Sequence, residues 1–197
     1  ERPKLDIAFV SDVACPWCAI GLASFEQALA RLKDELDARL HFEPFELNPD
    51  MGPEGVETVP YLMRKYGRTP EQVREAQARI RARGAAVGFA FGERKHVWNT
   101  FDAHRMLHWA GLEGRGLELS ALKHALLQAY HGEGRNPGAA DVLVELAGAV
   151  GLDAARARSI VGGDEFASEV RERERHWRER GVAAVPTVVL DDRYVIE

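Results

Sequence analysis

Both cysteines of this 197-residue chain lie in one short stretch, SDVACPWCAIG, where Pro16 and Trp17 separate Cys15 from Cys18. In the first turn of a helix, residues three apart share one face at about 5–6 Å, which is within the reach of a disulfide. The spacing therefore predicts a pair that opens and closes with little backbone movement. Such a dithiol suits thiol–disulfide exchange, and it equally supplies half of a zinc site.

The two thiols are predicted to differ because they lie at different depths in the helix. Cys15 is at the helix start, where unpaired N–H groups and the helix dipole favour a negative sulfur, so we expect its pKa to fall below that of a free thiol. Cys18 lies one turn further in and is placed to attack a mixed disulfide formed on Cys15. Pro16 suits an early helical position, and Trp17 either shapes a substrate surface or covers the site.

A permanent metal site is the alternative use of the cysteine pair. Structural zinc normally has four ligands, and the chain has no second pair of cysteines. His104 and His108 are four residues apart and would supply two imidazoles, but they lie in an amphipathic stretch where packing or hydrogen bonding is the commoner role. We therefore predict no metal and no cofactor other than the redox-active cysteines, although soft metals could bind the reduced thiols adventitiously.

The residues around the motif predict a strand, a helix and a second strand. LDIAFV (Leu5 to Val10) has the composition of a strand and directly precedes the cysteines. From Ile20 apolar residues recur at helical spacing, which predicts a helix running to about Asp37. RLHFEPFEL then predicts a second strand, and Pro44 within it indicates an edge strand or a bulge.

The C-terminal part of the chain predicts further strands after a long helical region. NPDMGPEG breaks the pattern, and the chain after it is predicted to be helical as far as Gly162 and Gly163. A last helix, Asp164 to Arg180, precedes two strands joined by a tight turn. The economical architecture is an α/β fold whose terminal strands share one sheet, with residues 1–52 and 164–197 in one domain and 53–163 as an inserted helical domain.

Pro186 lies directly before the first of these C-terminal strands, in VAAVPTVVL. Because proline cannot donate to a strand ladder, it belongs at a strand start or in a turn, where a cis peptide bond is possible. An isolated proline there would be taken as an ordinary trans residue. Together with the CxxC motif, it favours a catalytic use of the cysteines over a structural one.

Charge and composition exclude several classes of partner. The net charge of −5 gives no electrostatic reason to expect a nucleic-acid partner, because phosphate binding relies on accumulated Lys and Arg. The stretch RERERHWRER alternates in sign and predicts a solvated helix face. No run of 18 apolar residues exists in the sequence, so no membrane partner is expected.

These features resemble the DsbA-like branch of the thioredoxin superfamily. More closely, FVSDVACPWCAIG, FELNPDMGPEG and NTFDAHRMLHWA resemble FrnE-type proteins, which are similar in sequence to 2-hydroxychromene-2-carboxylate isomerases. The resemblance implies a thioredoxin-like sheet domain with a large helical insertion. Thioredoxin-type folds end with a helix after the last hairpin strand, whereas this sequence stops at RYVIE, so that C-terminal helix is expected to be absent from this chain.

The resemblance also implies roles for individual residues. Cys15 would be the nucleophile and Cys18 the resolving thiol, while Val185 and Pro186 would form a cis-proline loop that faces the thiols and pairs with an extended substrate. Asp12 would exchange protons with the thiols if it is buried, or would simply form a turn. Four further residues of the shared motifs would line the cleft, with capping or packing roles left open: Asn48, Asn99, Asp102 and His104.

The predicted function is that of a thiol–disulfide oxidoreductase or disulfide isomerase acting on protein substrates. The isomerase relatives use glutathione and carry serine where this chain has Cys15, so a thiolate here favours exchange, with glutathione left open as reductant or co-substrate. Two alternatives remain: a glutathione-dependent isomerase or transferase of the same fold, and a non-enzymatic thiol metal binder or stress-protective holdase. The FrnE-like character and the lack of a secretory segment predict the cytoplasm.

Overall fold

The computed structural model describes residues 2–197, which fold around a four-stranded mixed sheet. In this sheet the strand order is β2 (Asp37–Pro44), β1 (Lys4–Ser11), β5 (Thr187–Leu190) and β6 (Tyr194–Ile196). β1 is parallel to β2 and antiparallel to β5, and β5 is antiparallel to β6. Strands from both ends of the sequence therefore share one sheet, as predicted. The other strands in the described residues are β3 (Val56–Glu57) and β4 (His96–Val97).

Eight α-helices are found in the described residues, and seven of them lie between β2 and β5. A π-helical turn, Gln128–Gly132, continues the fifth helix. No helix in residues 2–197 is long and apolar enough to cross a bilayer. The helices are α1 (Pro16–Arg31), α2 (Thr58–Tyr66), α3 (Pro70–Ala86), α4 (Phe101–Glu113), α5 (Leu117–Leu127), α6 (Ala140–Ala149), α7 (Ala154–Val161) and α8 (Ala167–Glu179).

Strand β1 is buried on both faces of the sheet. Since successive side chains of a strand point to opposite faces, Ile7 and Phe9 pack on one side, in a cluster with Leu22 of α1. Val10 packs on the other side, in a cluster with Trp177 of α8. This double cover explains why the four residues from Ile7 to Val10 are all apolar instead of alternating.

The helices α4 to α7 enclose a separate core that reaches the cysteine motif. Met106, Trp109 and Leu143 belong to this core, and so do Val13 and Ala14, which precede Cys15. The loop between β1 and α1 is therefore packed between the sheet and the helical region. The division into two domains at residues 53 and 163 stays a prediction.

Several predicted boundaries were wrong. Helix α1 ends at Arg31, well before Asp37, because the Asp37 N–H donates to the Pro3 carbonyl (2.9 Å) and Asp37 begins the pairing of β2 with β1. β2 therefore starts before RLHFEPFEL and ends at Pro44, which closes an edge strand. Helix α8 begins three residues later than predicted, after Phe166 in the left-handed region (φ 67°).

Candidate active site

The CPWC motif lies where β1 ends and α1 begins. Cys15 is the N-cap residue of α1, with an extended backbone, and Pro16 occupies the first turn, where a missing N–H costs no helical hydrogen bond. The Cys15 N–H donates to the Asp12 carbonyl and the Cys18 N–H to the Cys15 carbonyl, each at 3.1 Å. Both thiols are free and buried, whereas Trp17 is 43% exposed.

The pKa values of the two thiols shift in opposite directions. The Cys18 thiol donates to Cys15, and this bond, with backbone N–H donors of Cys18 and Trp17, outweighs burial and lowers the pKa of Cys15. Complete burial and the neighbouring Cys15 sulfur raise the pKa of Cys18 well above its ordinary value. The more acidic sulfur is therefore the one at the helix start, which is the direction expected from the sequence, while the catalytic roles of both stay predictions.

The segment before β5 faces Cys15. The Val185–Pro186 peptide bond is cis, and the Cys15 Sγ lies 3.7 Å from the Val185 carbonyl oxygen. Pro186 packs directly on α1 at Gly21, where an added Cβ would lie 2.9 Å from the Pro186 Cγ. A glycine three residues after Cys18 is therefore required for the close approach of this segment to the helix.

A groove of about 510 Å³ opens beside Cys15, and we call it the Cys15 groove. Cys15, Trp17 and Val185 form one side of it, while Cys18 lies behind Cys15 and is fully buried. A substrate sulfur therefore meets Cys15 first. The remaining walls are formed by Phe45, Glu46, Leu47, Pro49, Lys65, Tyr66, Arg178, Ala183 and Ala184.

Asp12 anchors the motif from behind. Its carboxylate is 1% exposed and accepts hydrogen bonds from the N–H groups of Ala14 (3.2 Å) and Leu47 (2.8 Å). Thr100 Oγ1 (2.6 Å) and His104 Nε2 (3.1 Å) complete its partners. Burial raises the pKa of Asp12, but its bonds and the charge of His104 outweigh burial and hold the pKa below 3.8. Asp12 thus ties the loop to the exit of β2 and the start of α4.

Two side chains of the helical region hold the next two carbonyl groups of the loop. His131 Nε2 donates to the Val13 carbonyl (2.7 Å), and Arg94 donates to the Ala14 carbonyl (3.0 Å). Burial, with the nearby charge of Arg94, lowers the pKa of His131 to about 3, so the ring is neutral at pH 7. The π-helical turn carries His131 and thereby presents a neutral donor to the loop.

Lys123 of α5 places a cation behind Cys18. The side chain is 1% exposed, and its Nζ donates to the Ser11 hydroxyl at 2.8 Å. Burial lowers the pKa of Lys123, while the nearby sulfur of Cys18 and the carboxylate of Asp12 act in the opposite direction. A positive charge at this depth stabilises negative charge on the sulfurs more than a surface lysine would.

Lys123, His131 and Arg94 were missed in the sequence analysis. A signal existed for Lys123, because it is four residues after Leu119 and three before Leu126, and so lies on the buried stripe of its own helix. For the other two residues no local pattern indicates contact with the loop.

The other predicted cleft residues have separate surroundings. Asn48 accepts hydrogen bonds from Tyr61 and from Lys65 of the Cys15 groove. Asn99 precedes Thr100, the N-cap residue of α4; it accepts from the Phe101 N–H (2.9 Å) and donates to the Met51 carbonyl. Asp102 pairs with Arg105 at 2.9 Å. Asn99 and Asp102 line a second cavity beside the groove.

The histidine pair does not complete a metal site. His104 is bonded to Asp12, and His108 packs against Phe166 with ring centres 5.4 Å apart. Within residues 2–197 no group of three or more His, Cys, Asp or Glu side chains is arranged to hold an ion.

Comparison with known proteins identifies the family. The profile of the DsbA-like thioredoxin domain matches residues 6–197. A probable DsbA oxidoreductase from Streptomyces coelicolor is 34% identical, covers 98% of this chain and 83% of its own, and superimposes with a TM-score of 0.90.

Two more distant structures share the fold. A 2-hydroxychromene-2-carboxylate isomerase is 14% identical over 97% of this chain and 87% of its own, with a TM-score of 0.74. The cytosolic disulfide reductase DsbM from Pseudomonas aeruginosa, solved with GSH, is 22% identical over 98% of this chain and 89% of its own, with a TM-score of 0.59. Because the family profile matches nearly the whole chain, the chain belongs to the DsbA-like thioredoxin domain family.

Proposed function

We propose that the chain is a thiol–disulfide oxidoreductase that acts on protein disulfides, with Cys15 as nucleophile and Cys18 as resolving thiol. The observation that carries this proposal is the contrast between the sulfurs: the acidic one lines an open groove and the less acidic one is enclosed behind it. The oxidoreductase relative that is 34% identical supports the same chemistry.

The exchange requires two displacements at sulfur. The Cys15 thiolate attacks one sulfur of a substrate disulfide, forming a Cys15–substrate bond and releasing the other substrate sulfur as a thiolate, which takes a proton from water. Cys18 then loses its proton and attacks Cys15, closing the Cys15–Cys18 disulfide and releasing the second substrate thiolate. The substrate gains two electrons, and the enzyme loses two.

The groove supplies a binding surface for an extended substrate segment. The Val185 backbone lies against Cys15, so a strand-like peptide paired with it would present its own sulfur to the nucleophile. Trp17 offers exposed apolar surface on the same side of the groove.

Glutathione is the proposed thiol that returns the enzyme to its dithiol form. Two glutathione molecules would be oxidised to one disulfide for each turnover, which balances the two electrons given to the substrate. The exposed Lys65 in the groove suits a carboxylate of such a tripeptide. The fold is shared with a cytosolic disulfide reductase solved with GSH, which supports both this co-substrate and a cytoplasmic location.

A glutathione-dependent isomerase is the second candidate, favoured by the shared fold with 2-hydroxychromene-2-carboxylate isomerase. It would use glutathione at the same groove without needing Cys18. Turnover of 2-hydroxychromene-2-carboxylate that survives Cys18→Ser would favour this candidate, because redox exchange would have lost its resolving thiol.

Serine variants of the two cysteines test the main proposal. We expect Cys15→Ser to abolish glutathione-driven insulin reduction, and Cys18→Ser to accumulate a mixed disulfide on Cys15 that mass spectrometry detects. Ser24→Ala, an exposed change on α1, serves as the control. Full insulin reduction by Cys15→Ser would refute the proposal.

A further inference from the structure

The larger cavity beside the Cys15 groove holds a pair of buried carboxyl groups. This cavity measures about 790 Å³ and adjoins the groove, since Glu46, Pro49 and Arg178 line both. Glu46 and Glu174 are each only 5% exposed, and both line the cavity. A substrate bound at Cys15 that extends past Glu46 therefore enters a cavity lined by two carboxyl side chains.

The two carboxyl groups have no donor from the protein itself. Apart from each other, Glu46 Oε1 and Glu174 Oε1 are enclosed and accept no N–H or O–H from residues 2–197. Their side chains bond to each other, and burial, with the charge of Glu174, raises the pKa of Glu46 to about 8. At pH 7 Glu46 therefore holds a proton that it shares with Glu174, and this proton is the donor between the two groups.

The charged groups around the pair come from four elements. Burial raises the pKa of Glu174, and the charges of Arg178 and Arg171 of α8 oppose this rise only in part. The Arg171 guanidinium lies over Phe101 of the cavity wall at 4.4 Å, and that of Arg178 lies over Phe45 of the Cys15 groove at 4.9 Å. Arg178 also donates to the Glu46 backbone carbonyl at 2.8 Å. The remaining charged groups that face the pair or line the cavity are Asp12, Asp50, Asp102, His104, Arg175 and Glu179.

We propose that Glu46 and Glu174 form a subsite for a protonated primary amine carried by the thiol substrate, next to the sulfur that reacts with Cys15. An ammonium group has several N–H donors, so one group supplies both carboxylates with the hydrogen bonds that the protein does not provide. It replaces the shared proton, which leaves to solvent. This inference rests on the proposed exchange reaction and assigns its substrate preference.

The amine has two sources, which the test separates. One is a lysine side chain close to the reactive cysteine of a protein; the other is the free α-amino group of glutathione. The probes are short peptides bearing one mixed disulfide, with lysine at each position from two before to two after the cysteine. The same peptides with norleucine are the uncharged references, and glutathione is compared with N-acetylglutathione.

For the wild-type protein we expect exchange to be at least about tenfold faster for one lysine peptide than for its norleucine partner, or for glutathione than for its acetylated form. Because the amine displaces a proton, this ratio should rise between pH 6 and pH 8. The ratio cancels the titration of Cys15, which affects both substrates equally.

Glu174→Gln should reduce the ratio to about one at every pH while leaving exchange with the norleucine peptides in place. Glu46→Gln should reduce the ratio in the same way, although it also changes the wall of the Cys15 groove. Glu172→Gln changes the same charge on an exposed position of α8 and should keep the full ratio. Exchange in the wild type without any preference at any position would overturn the subsite alone, whereas no exchange with any peptide would overturn the proposed function.

Discussion

The two sides of the CPWC loop differ in how they are held. On the groove side, Cys15 and Trp17 lie against open space and the Val185 backbone, with a single sulfur contact at 3.7 Å. On the rear side, Asp12 alone has four hydrogen-bond partners, and His131 and Lys123 are each 1% exposed. The difference shows that the helical region fixes the loop in place, while the sheet side leaves the reacting sulfur open.

This arrangement has a physical reason. A nucleophile must meet substrates of many shapes, so its own side needs few fixed contacts. Its pKa and position nevertheless depend on where the loop atoms lie, and buried hydrogen bonds define such positions well. Changes on the rear side are therefore expected to affect stability, and changes on the groove side to affect substrate binding.

Asp12→Ala should give the largest effect. It removes the acceptor of Thr100 and His104, both buried, and leaves those donors without a partner. Loss of such a buried group costs about 3–5 kcal/mol, so we expect the free energy of unfolding in urea to fall by this amount. The exposed Asp34→Ala is the control, and an equal loss there would contradict the anchoring role of Asp12.

His131 should make the fold sensitive to acid. Its pKa falls from 6.5 to about 3 in the folded protein, so below pH 6.5 the unfolded chain binds a proton that the folded chain does not. Stability therefore decreases as the pH falls, by about 2 kcal/mol from this residue between pH 7 and pH 5. His131→Gln keeps a donor for Val13 without titrating, so its stability should fall by about 2 kcal/mol less over that interval.

The comparison uses urea unfolding of both proteins at pH 7 and pH 5. Groups common to the two proteins, including His124, whose pKa is raised by its bond to Glu26, cancel in the difference. Parallel losses of stability in the wild type and in His131→Gln would show that His131 is not the acid-sensitive group.

Lys123→Met should have a smaller effect, which we expect to measure in the redox equilibrium. The cation stabilises the dithiol form, which carries the negative Cys15 sulfur, so its removal favours the disulfide. We expect the equilibrium constant with glutathione to shift about threefold, or about 14 mV toward a more negative potential. Lys33→Met, on the surface, is the control and should leave the potential unchanged. A shift of the Lys123→Met potential in the positive direction would show that Lys123 does not stabilise the Cys15 thiolate.

Much of the groove side could be predicted from the sequence. The CPWC spacing, the helix start and the proline before β5 are local patterns, and each indicates a geometry by itself. The four strands of the main sheet were found for the same reason, although β2 was placed too late, because its register with β1 depends on pairing that begins at Asp37. The short strands β3 and β4 were missed, because they lie in the segment that was predicted to be helical.

Most of the rear side could not be predicted, because its contacts join distant parts of the chain. Lys123 and Ser11 are 112 residues apart, and His131 and Val13 are 118 apart. The pairing of Glu46 with Glu174 likewise depends on how α8 packs beside the exit of β2. A single sequence indicates that a position is buried, as helical spacing does for Lys123 on α5. It does not indicate which residue of another segment contacts that position.

Trp17→Ala should have the smallest effect on stability and decides between the two roles that the sequence left open. If the exposed ring shapes a substrate surface, its loss changes the free energy of unfolding by less than about 0.5 kcal/mol and raises the KM for insulin about fivefold. The pKa of Cys15 should be unchanged, because the backbone N–H of residue 17, which helps to lower it, is still present in the variant. Tyr194→Ala, an exposed aromatic change on β6, is the control for KM. A loss of stability above 1 kcal/mol with an unchanged KM would instead show that Trp17 covers the thiols. A residue of the groove side would then stabilise the fold, as the residues of the rear side do.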